Sequence, residues 1–440
     1  MILQALTRSR YFWLLTILPL LSLAAPLPEP LTLAAALGTA QNEAHYDLVA
    51  IDQRLQAIRA ELGIEQGDNG FTLDLIGRIR QVGLSEVARS IDDADNVNDS
   101  GNDNAASLIL SRPLYDFGLQ DSRENQFALQ LQALEYQKRL LIEQRRLEIM
   151  EKYFAVLNAD NHFISENESL AMGFIHYDNA VQDQELGLVA ELEVLRLQAE
   201  YEVIRQQRFL AEHQQRLARA MLAEAMGYPE ALPSELEVPE INPDRALPDD
   251  FDALVSQALV YSLEAFAAQA NSQAAQGAIG IAAATDNPSL DLQLEVSSYE
   301  RDSRLRDDWR AGLYLEIPLY SGSSPARLDL AKAKHRQALA NQQQVQSHLR
   351  LEVLELWQKI QQLKLTIQGR SNEQDYRDKY LERSRAEYEL EFKSDLGDSM
   401  VLYSRSSGER LQALYAFELA YQRLTALVGA NFLSQFATAQ

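Results

Sequence analysis

The sequence predicts an α+β protein that is built twice from two strands, a long helix and a shorter helix. Five prolines cluster between Gly227 and Asp250, whereas residues 114–228 and 326–440, 115 residues each, contain none. A Pro-Leu-Tyr triplet ends the segment 110–115 and recurs at the end of the segment 315–320, 205 residues later. The segments in front of both proline-free stretches alternate apolar and polar residues. Together, these three observations predict an internal duplication.

The proline-free stretches are predicted to form the long helices. Proline breaks helix interiors, and these stretches are rich in Leu, Ala, Gln, Glu and Arg, which are good helix formers. We expect long helices over about 119–184 and 327–392, each 66 residues or about 100 Å. Shorter helices should follow at about 188–226 and 398–429, and coiled-coil packing should cover their apolar stripes. The expected units are therefore a first repeat, 25–227, a Pro-rich linker, 228–250, and a second repeat, 251–440.

The strands are recognised by a period of two. Strand pairs are expected at about 71–117 and 289–320, where apolar and polar residues alternate, less cleanly over 106–117 than in the other strands. This pattern is typical of outer-membrane barrels, but a soluble antiparallel sheet with one wet face gives the same alternation. Strand length and aromatic ends favour the membrane. The positions predicted to face lipid are Leu290, Leu292, Leu294, Trp309, Leu313, Leu315 and Ile317.

The first 24 residues are predicted to be a secretory signal peptide. Arg8 and Arg10 precede an apolar run at 11–21, and small residues allow cleavage after Ala24. The alternative is an N-terminal membrane anchor, but the run is shorter than the roughly 20 residues that a spanning helix needs. An exported protein also fits the membrane interpretation of the strands.

Composition and motif searches exclude several classes of function. A net charge of -24 argues against nucleic acid as a partner, because binding phosphates needs a basic surface. There is no cysteine, which excludes disulfides, thiolate metal sites and a lipid anchor on cysteine. The six histidines are scattered, and no P-loop, G-x-S-x-G or H-E-x-x-H motif occurs. We therefore expect no enzyme activity, no metal and no cofactor.

The number of strands constrains the assembly. Four strands cannot close a barrel, and an open sheet edge in lipid leaves backbone groups unpaired. Two chains would give about eight strands and three would give about twelve, and only the wider barrel leaves a channel. Transport therefore favours three or more copies in contact with outer-membrane lipid.

The arrangement resembles the TolC family of outer-membrane efflux ducts over essentially the whole chain after the leader. The resemblance rests on the duplicated unit, on Pro-Leu-Tyr followed by Gly118 or Gly322, and on a glycine-led motif at a helix tip. It implies a homotrimer whose twelve-stranded barrel continues into a periplasmic tunnel of coiled-coil helices. It also implies that a periplasmic adaptor docks at the tip, here Leu186, Gly187, Leu188, Val194 and Leu195.

The second helix tip departs from the family pattern, because Lys393 stands where glycine is expected. In the family, acidic residues near this tip narrow the periplasmic entrance. The nearest candidates here are Asp395 and Asp398, with Glu193 at the matching place in the first repeat, although Ser399 occupies the family position itself. The alternative is that these are ordinary solvated helix ends.

The resemblance implies a passive export channel in the outer membrane of a Gram-negative bacterium. An inner-membrane pump, reached through the adaptor, would supply cargo and driving force in tripartite efflux or type I secretion. The cargo stays open between drugs, peptides, proteins and metals. The alternative function is a soluble periplasmic coiled-coil or adaptor-like protein without channel activity.

Overall fold

The computed structural model of the chain describes residues 28–42, 45–81, 102–300, 306–390 and 395–437. The predicted signal peptide and Lys393 lie outside these residues. The first half contains α1 (Leu33–Gly38), α2 (Tyr46–Asp68), β1 (Thr72–Arg78), β2 (Ala105–Tyr115), α3 (Leu119–Glu185) and α4 (Glu191–Ala225). The second half contains α5 (Phe251–Tyr261), α6 (Leu263–Ala284), β3 (Ser289–Tyr299), β4 (Trp309–Glu316), α7 (Ser324–Glu389), α8 (Leu396–Val428) and α9 (Ala430–Ala437).

The four strands form one antiparallel sheet in the order β1-β2-β3-β4. Its register places two rows of apolar residues across one face, because side chains alternate between faces along each strand. One row is Leu73, Leu110, Leu294 and Ala311, and the next is Leu75, Leu108, Val296 and Trp309. Of these, Leu75, Val296 and Trp309 are 76%, 60% and 70% exposed, so this apolar face is uncovered in a single chain.

The opposite face of the sheet is polar. The hydroxyls of Ser107 and Ser297 lie 2.7 Å apart across β2 and β3. Arg310 on β4 forms a salt bridge of 3.0 Å with Glu295 on β3. A sheet with one apolar exposed face and one hydrogen-bonded polar face has the character of a barrel wall between lipid and water.

Strand β4 is shorter than the sequence predicts. It ends at Glu316, which pairs with Ser289, whereas we expected a strand as far as 320. Pro318 explains this difference, since proline has no N–H group to donate to the ladder. Ile317, predicted to face lipid from within the strand, therefore lies one residue beyond it and is 53% exposed.

Two long helices run from the sheet. Helix α3 has 67 residues and α7 has 66, which corresponds to about 100 Å each. The passage from β2 into α3 turns through Phe117 and Gly118, whose φ angles are 54° and 90°. The Asp116 carboxylate caps this helix, accepting a hydrogen bond from the Gly118 N–H at 3.1 Å. Helix α7 instead begins with Pro325 in its first turn, a position where the missing N–H costs nothing.

Each strand pair is preceded by a helix that the sequence analysis did not predict. Helix α2 precedes β1 and packs on α3, and α6 precedes β3 and packs between α3 and α7. Gly277 and Gly280 of α6 lie against α3, where an added Cβ would come 3.7 Å from the Gln126 Cβ and 3.8 Å from the Ser122 Oγ. The repeated unit is thus a helix, a strand hairpin, a long helix and a shorter helix.

The buried core lies near the middle of the long helices. One cluster joins α3 to residues 31–40, and the Tyr153 hydroxyl donates to the backbone oxygens of Leu31 and Glu237 at 2.7 and 2.6 Å. Phe154 of α3 stacks on Tyr415 of α8 with ring centroids 4.8 Å apart, so this cluster also connects the two halves. A second cluster packs α5 against α7 and α8. None of the described helices is long and apolar enough to cross a membrane.

Candidate functional site

The end of α3 forms the first helix tip. Gly187 has a φ of 76°, and the N–H groups of Gly187 and Leu188 donate to the carbonyls of Gln184 and Asp183 at 2.9 and 2.8 Å. These two hydrogen bonds define a Schellman motif, in which glycine takes the left-handed position after the helix. An added Cβ at Gly187 would meet no atom within 4 Å. Backbone conformation, and not crowding, therefore selects glycine here.

Leucine side chains surround this turn and point away from the chain. Leu186, Leu188 and Leu195 are 73%, 72% and 53% exposed. Val194 is only 8% exposed, so it anchors the turn to the helix pair and is not available for contact. Leu192, which the sequence analysis did not select, is 79% exposed. The position of Leu192 in the first turn of α4, next to the predicted tip, is the sequence signal that could have identified it. We define the tip surface as Leu186, Leu188, Leu192 and Leu195.

Glu193 stands beside the tip surface but is already paired. Arg196 donates two hydrogen bonds to its carboxylate, at 2.9 and 2.5 Å, and a third to Glu200. The hydrogen bonds from Arg196 lower the pKa of Glu193, which stays ionised with its charge balanced locally. Glu193 is consequently a weaker candidate for an acidic constriction than its sequence position indicates.

The start of α8 forms the second tip, of which the structure describes residue 395 onward. Asp395 precedes the helix, and its backbone oxygen accepts a hydrogen bond of 2.8 Å from the Ser399 hydroxyl. Ser399 is buried, and its hydroxyl lies 2.7 Å from that of Ser384 on α7. Ser399, which occupies the family position, therefore ties α8 to α7, while the carboxylates of Asp395 and Asp398 lie at the surface.

Asp398 links this tip to α3 of the same chain. Its carboxylate lies 3.7 Å from the Nε2 of His176, and both side chains are about half exposed. One residue earlier, Gly397 packs so closely on Met172 that an added Cβ would lie 2.0 Å from the Met172 Cε. The structure thus brings Asp395 and Asp398 together on α8 and holds α8 against α3, whereas Glu193 bonds to its own helix.

The described residues hold no recognisable chemical centre. Among them, no group of three or more His, Asp or Glu residues is arranged to hold a metal ion.

The predicted strand positions other than Ile317 all lie in β3 or β4, on the face that carries the two apolar rows. The features that remain for function are a sheet with an apolar face, long helices and two helix tips. Together these define an α+β protein that combines an exposed apolar sheet face with long helices.

Comparison with known proteins shows which family pattern and which solved structures this chain resembles. The sequence pattern of the Outer membrane efflux protein family matches residues 254–430. No curated protein matches the sequence. Among solved structures, the outer membrane protein VceC of Vibrio cholerae is 17% identical, with a TM-score of 0.69, over 90% of this chain and 96% of VceC.

Two further structures share the fold. The Campylobacter jejuni CmeC outer membrane channel is 16% identical, with a TM-score of 0.70, over 93% of this chain and 87% of CmeC. The open state of the Neisseria gonorrhoeae MtrE outer membrane channel is 18% identical, with a TM-score of 0.65, over 90% of this chain and 89% of MtrE. The predicted fold class is confirmed by these likenesses. The resemblance to the TolC family of outer-membrane efflux ducts is confirmed as well, by fold along the chain and by sequence in its second half.

Proposed function

We propose that three copies of this chain form a passive outer-membrane channel that continues into the periplasm as a helical tunnel. The observation that carries this function is the junction of two features in one chain. A four-stranded sheet exposes a continuous apolar face, and helices of about 100 Å extend from it. In this proposal the sheet inserts into the membrane, and the helices extend from it into the aqueous periplasm.

The alternative of a soluble periplasmic coiled-coil protein fits the helices but not the sheet. A soluble protein covers large apolar patches, whereas the rows through Leu75, Val296 and Trp309 are uncovered here. Lipid is the partner that this face needs. We therefore infer a location in the outer membrane of a Gram-negative bacterium, with no catalytic role.

Planar-bilayer recording on the purified full-length protein tests this function. We expect trimers that survive detergent and insert to give steady single-channel currents. A monomer that fractionates as soluble and gives no current would contradict the channel.

The tip surface is proposed to be the docking site for a periplasmic adaptor, through which an inner-membrane pump delivers cargo. The four exposed leucines of the tip surface surround the glycine turn and form an apolar surface that the single chain leaves uncovered. Tripartite efflux and type I secretion both use such an arrangement, so the class of cargo follows from the pump and not from this chain.

Charged substitutions in the tip surface should separate docking from channel formation. Leu188→Asp combined with Leu192→Asp should abolish export, measured as growth of a strain lacking its own copy on a panel of dyes and antibiotics. Trimer yield and bilayer current should stay unchanged, because both side chains are more than 70% exposed. Leu232→Asp, at a 58% exposed leucine in the linker, is the matched control and should export normally. Normal export by the double variant would reject the docking role.

The periplasmic entrance is proposed to lie at Asp395 and Asp398. The pairing of Asp398 with His176 and the packing of Gly397 on Met172 hold the start of α8 against α3. Asp395→Asn with Asp398→Asn should loosen this start and raise the single-channel current. Glu193→Gln should leave the current unchanged, because Arg196 already balances that carboxylate. An unchanged current in the double variant would remove both residues from the entrance.

A further inference from the structure

A cavity of about 880 Å³ lies where α3, α4 and α8 meet, away from both helix tips. Its wall is partly apolar, with Ala155 and Ala159 on α3 and Leu210 on α4. Gly408 on α8 also lines it, and an added Cβ there would come 3.7 Å from the Asn161 Cβ. Small residues on two facing helices therefore keep this space open.

Three polar residues on α3 line the same cavity and carry unsatisfied atoms. Ser165 and Glu166 are 4% and 6% exposed. The Ser165 Oγ, the Glu166 Oε2 and the Asn158 Oδ1 are buried and have no hydrogen-bond partner among the described residues. Ser165 and Glu166 follow Asn158 by seven and eight positions, so the three residues share one side of the helix, with Asn158 about two turns away from the other two. Buried polar atoms in native proteins are nearly always paired, so these atoms must take their partners from water or from a molecule bound in the cavity.

The charged groups around the cavity leave Glu166 available. His162 approaches the other oxygen of Glu166, at 3.8 Å, which is too long for a hydrogen bond. Glu409, also on the wall, is bound to Arg370 at 2.6 Å. Arg405 on α8 also lines the cavity, but this residue is exposed to solvent. The Oε2 of Glu166 thus has no hydrogen-bond partner among the described residues that line the cavity.

We propose that this cavity binds an organic ammonium ion with an apolar body. A primary ammonium has three N–H donors, and the Glu166 Oε2 and the Ser165 Oγ of the next residue along α3 are unpaired acceptors for it, one of them a carboxylate oxygen. Charge-assisted hydrogen bonds of this kind are the stronger ones. The apolar body would lie against Ala155, Ala159 and Leu210. This binding site goes beyond passive conduction, since it would retain one chemical class of solute on the channel wall, whichever cargo the pump delivers.

The site faces away from the buried core. His162 follows Tyr153 by nine residues, which at about 100° per residue places it on the opposite side of α3. Tyr153 points to residues 31 and 237, so the cavity opens on the other side of the helix layer. That side faces the tunnel interior, a placement that rests on the proposed function, whereas ammonium binding itself does not.

Isothermal titration calorimetry of the full-length protein in detergent at pH 7 tests the site, with benzylammonium chloride as the probe. We expect saturable binding of benzylammonium and none of benzyl alcohol, which has the same ring but no charge. Glu166→Gln should weaken binding about tenfold or more, because it removes the charge and keeps the shape. Glu168→Gln changes a nearby carboxylate that does not line the cavity and should bind as the parent does.

A second variant protects the test against a folding defect in the first. Ala159→Leu should occupy the apolar wall against which the ring would lie and weaken binding, while the trimer yield stays normal. Binding that is unaffected by both Glu166→Gln and Ala159→Leu, or no binding to the parent protein, would overturn the proposal. Bound benzylammonium without any bilayer current would instead leave the site standing and reject the channel, so the two failures are distinguishable.

Discussion

Tyr153 is the residue that fixes the middle of the molecule. Its side chain is fully buried, and one hydroxyl joins two backbone oxygens from segments far apart in sequence, Leu31 and Glu237. Burial raises the pKa of this hydroxyl to about 12, and it does the same for Tyr415. A neutral, hydrogen-bonded phenol therefore connects α3 to the start of the first repeat and to the linker that follows it.

Replacing Tyr153 with Phe should destabilise the protein by about 1–3 kcal/mol, because a buried backbone carbonyl would lose its donor. The thermal midpoint followed by tryptophan fluorescence in detergent would show this as a decrease. Tyr376→Phe, at a 58% exposed tyrosine, is the control and should change stability by no more than about 0.5 kcal/mol. Equal midpoints for the two variants would mean that the hydroxyl of Tyr153 contributes nothing.

The raised pKa of Tyr153 also predicts how the stability of the protein depends on pH. The folded pKa of Tyr153 and Tyr415, about 12, lies above the ordinary tyrosine value of about 10. Between these values the unfolded chain binds fewer protons than the folded one, so stability should be fully present below pH 10 and fall as the pH rises towards 12. The Tyr153→Phe variant should lose less stability over this interval than the parent, and an identical slope would contradict the assignment.

At the scale of elements, the strands were predictable from alternating apolar and polar residues, and the long helices from helix-forming residues without proline. The alternation around Leu294 and Leu313 places the apolar face, and the absence of proline allows α3 and α7 to run uninterrupted. Strand β4 was predicted too long, since its alternation continues past Glu316 although Pro318 cannot pair. Periodicity locates a strand but does not locate its last hydrogen bond.

Helices α2 and α6 were missed for a related reason. Helix α6 is made largely of alanine, glutamine and glycine, so it has no wide apolar stripe. Its small residues allow close packing on a neighbouring helix, and that packing is not visible in the local sequence. Helix α2 is mostly exposed, with Leu48 and Leu55 as its buried residues. The packing of both helices on α3 stabilises them, and such tertiary contacts leave little local pattern.

The two faces of the sheet give a test of the barrel at this scale. Leu294→Arg places a charge at the centre of β3 on the apolar face and should cost roughly 2–4 kcal/mol in lipid. Gln293→Arg changes the adjacent residue on the polar face, next to Gly312 across the ladder, and should be tolerated. Trimer yield after refolding into lipid vesicles measures the difference. Equal yields for the two variants would mean that the apolar face does not contact lipid.

At the scale of the whole molecule, the single chain is incomplete. The sheet ends at β1 on one side and β4 on the other, and no other described strand pairs with either edge. Strand arithmetic could predict that other copies must cover these edges, because an unpaired edge is not tolerated in lipid. The docking and entrance residues stay predictions, since their role depends on a partner whose shape is not encoded in this sequence.

Closure between neighbouring copies can be tested by disulfide cross-linking, since the chain has no cysteine of its own. Asp74→Cys on β1 is combined in turn with Arg310→Cys, Gly312→Cys and Tyr314→Cys on β4, all on the polar face. If β4 of one copy pairs with β1 of the next, one of these combinations brings the two Cα atoms within the 4.4–6.8 Å that a disulfide spans. Non-reducing electrophoresis should then show covalent dimers and trimers and no larger species.

The control moves the first cysteine one strand inward. Ile109 on β2 pairs with Asp74, so Ile109→Cys faces the same side of the sheet but is separated from every β4 edge. Two strand spacings amount to about 10 Å, which exceeds the reach of a disulfide, so this series should give monomers only. Cross-linked ladders beyond the trimer would show open association of edges, and no cross-links in any β1–β4 combination would exclude the shared barrel. A product that stops at three copies is the outcome that closed symmetry requires, because each copy then offers one edge and receives one.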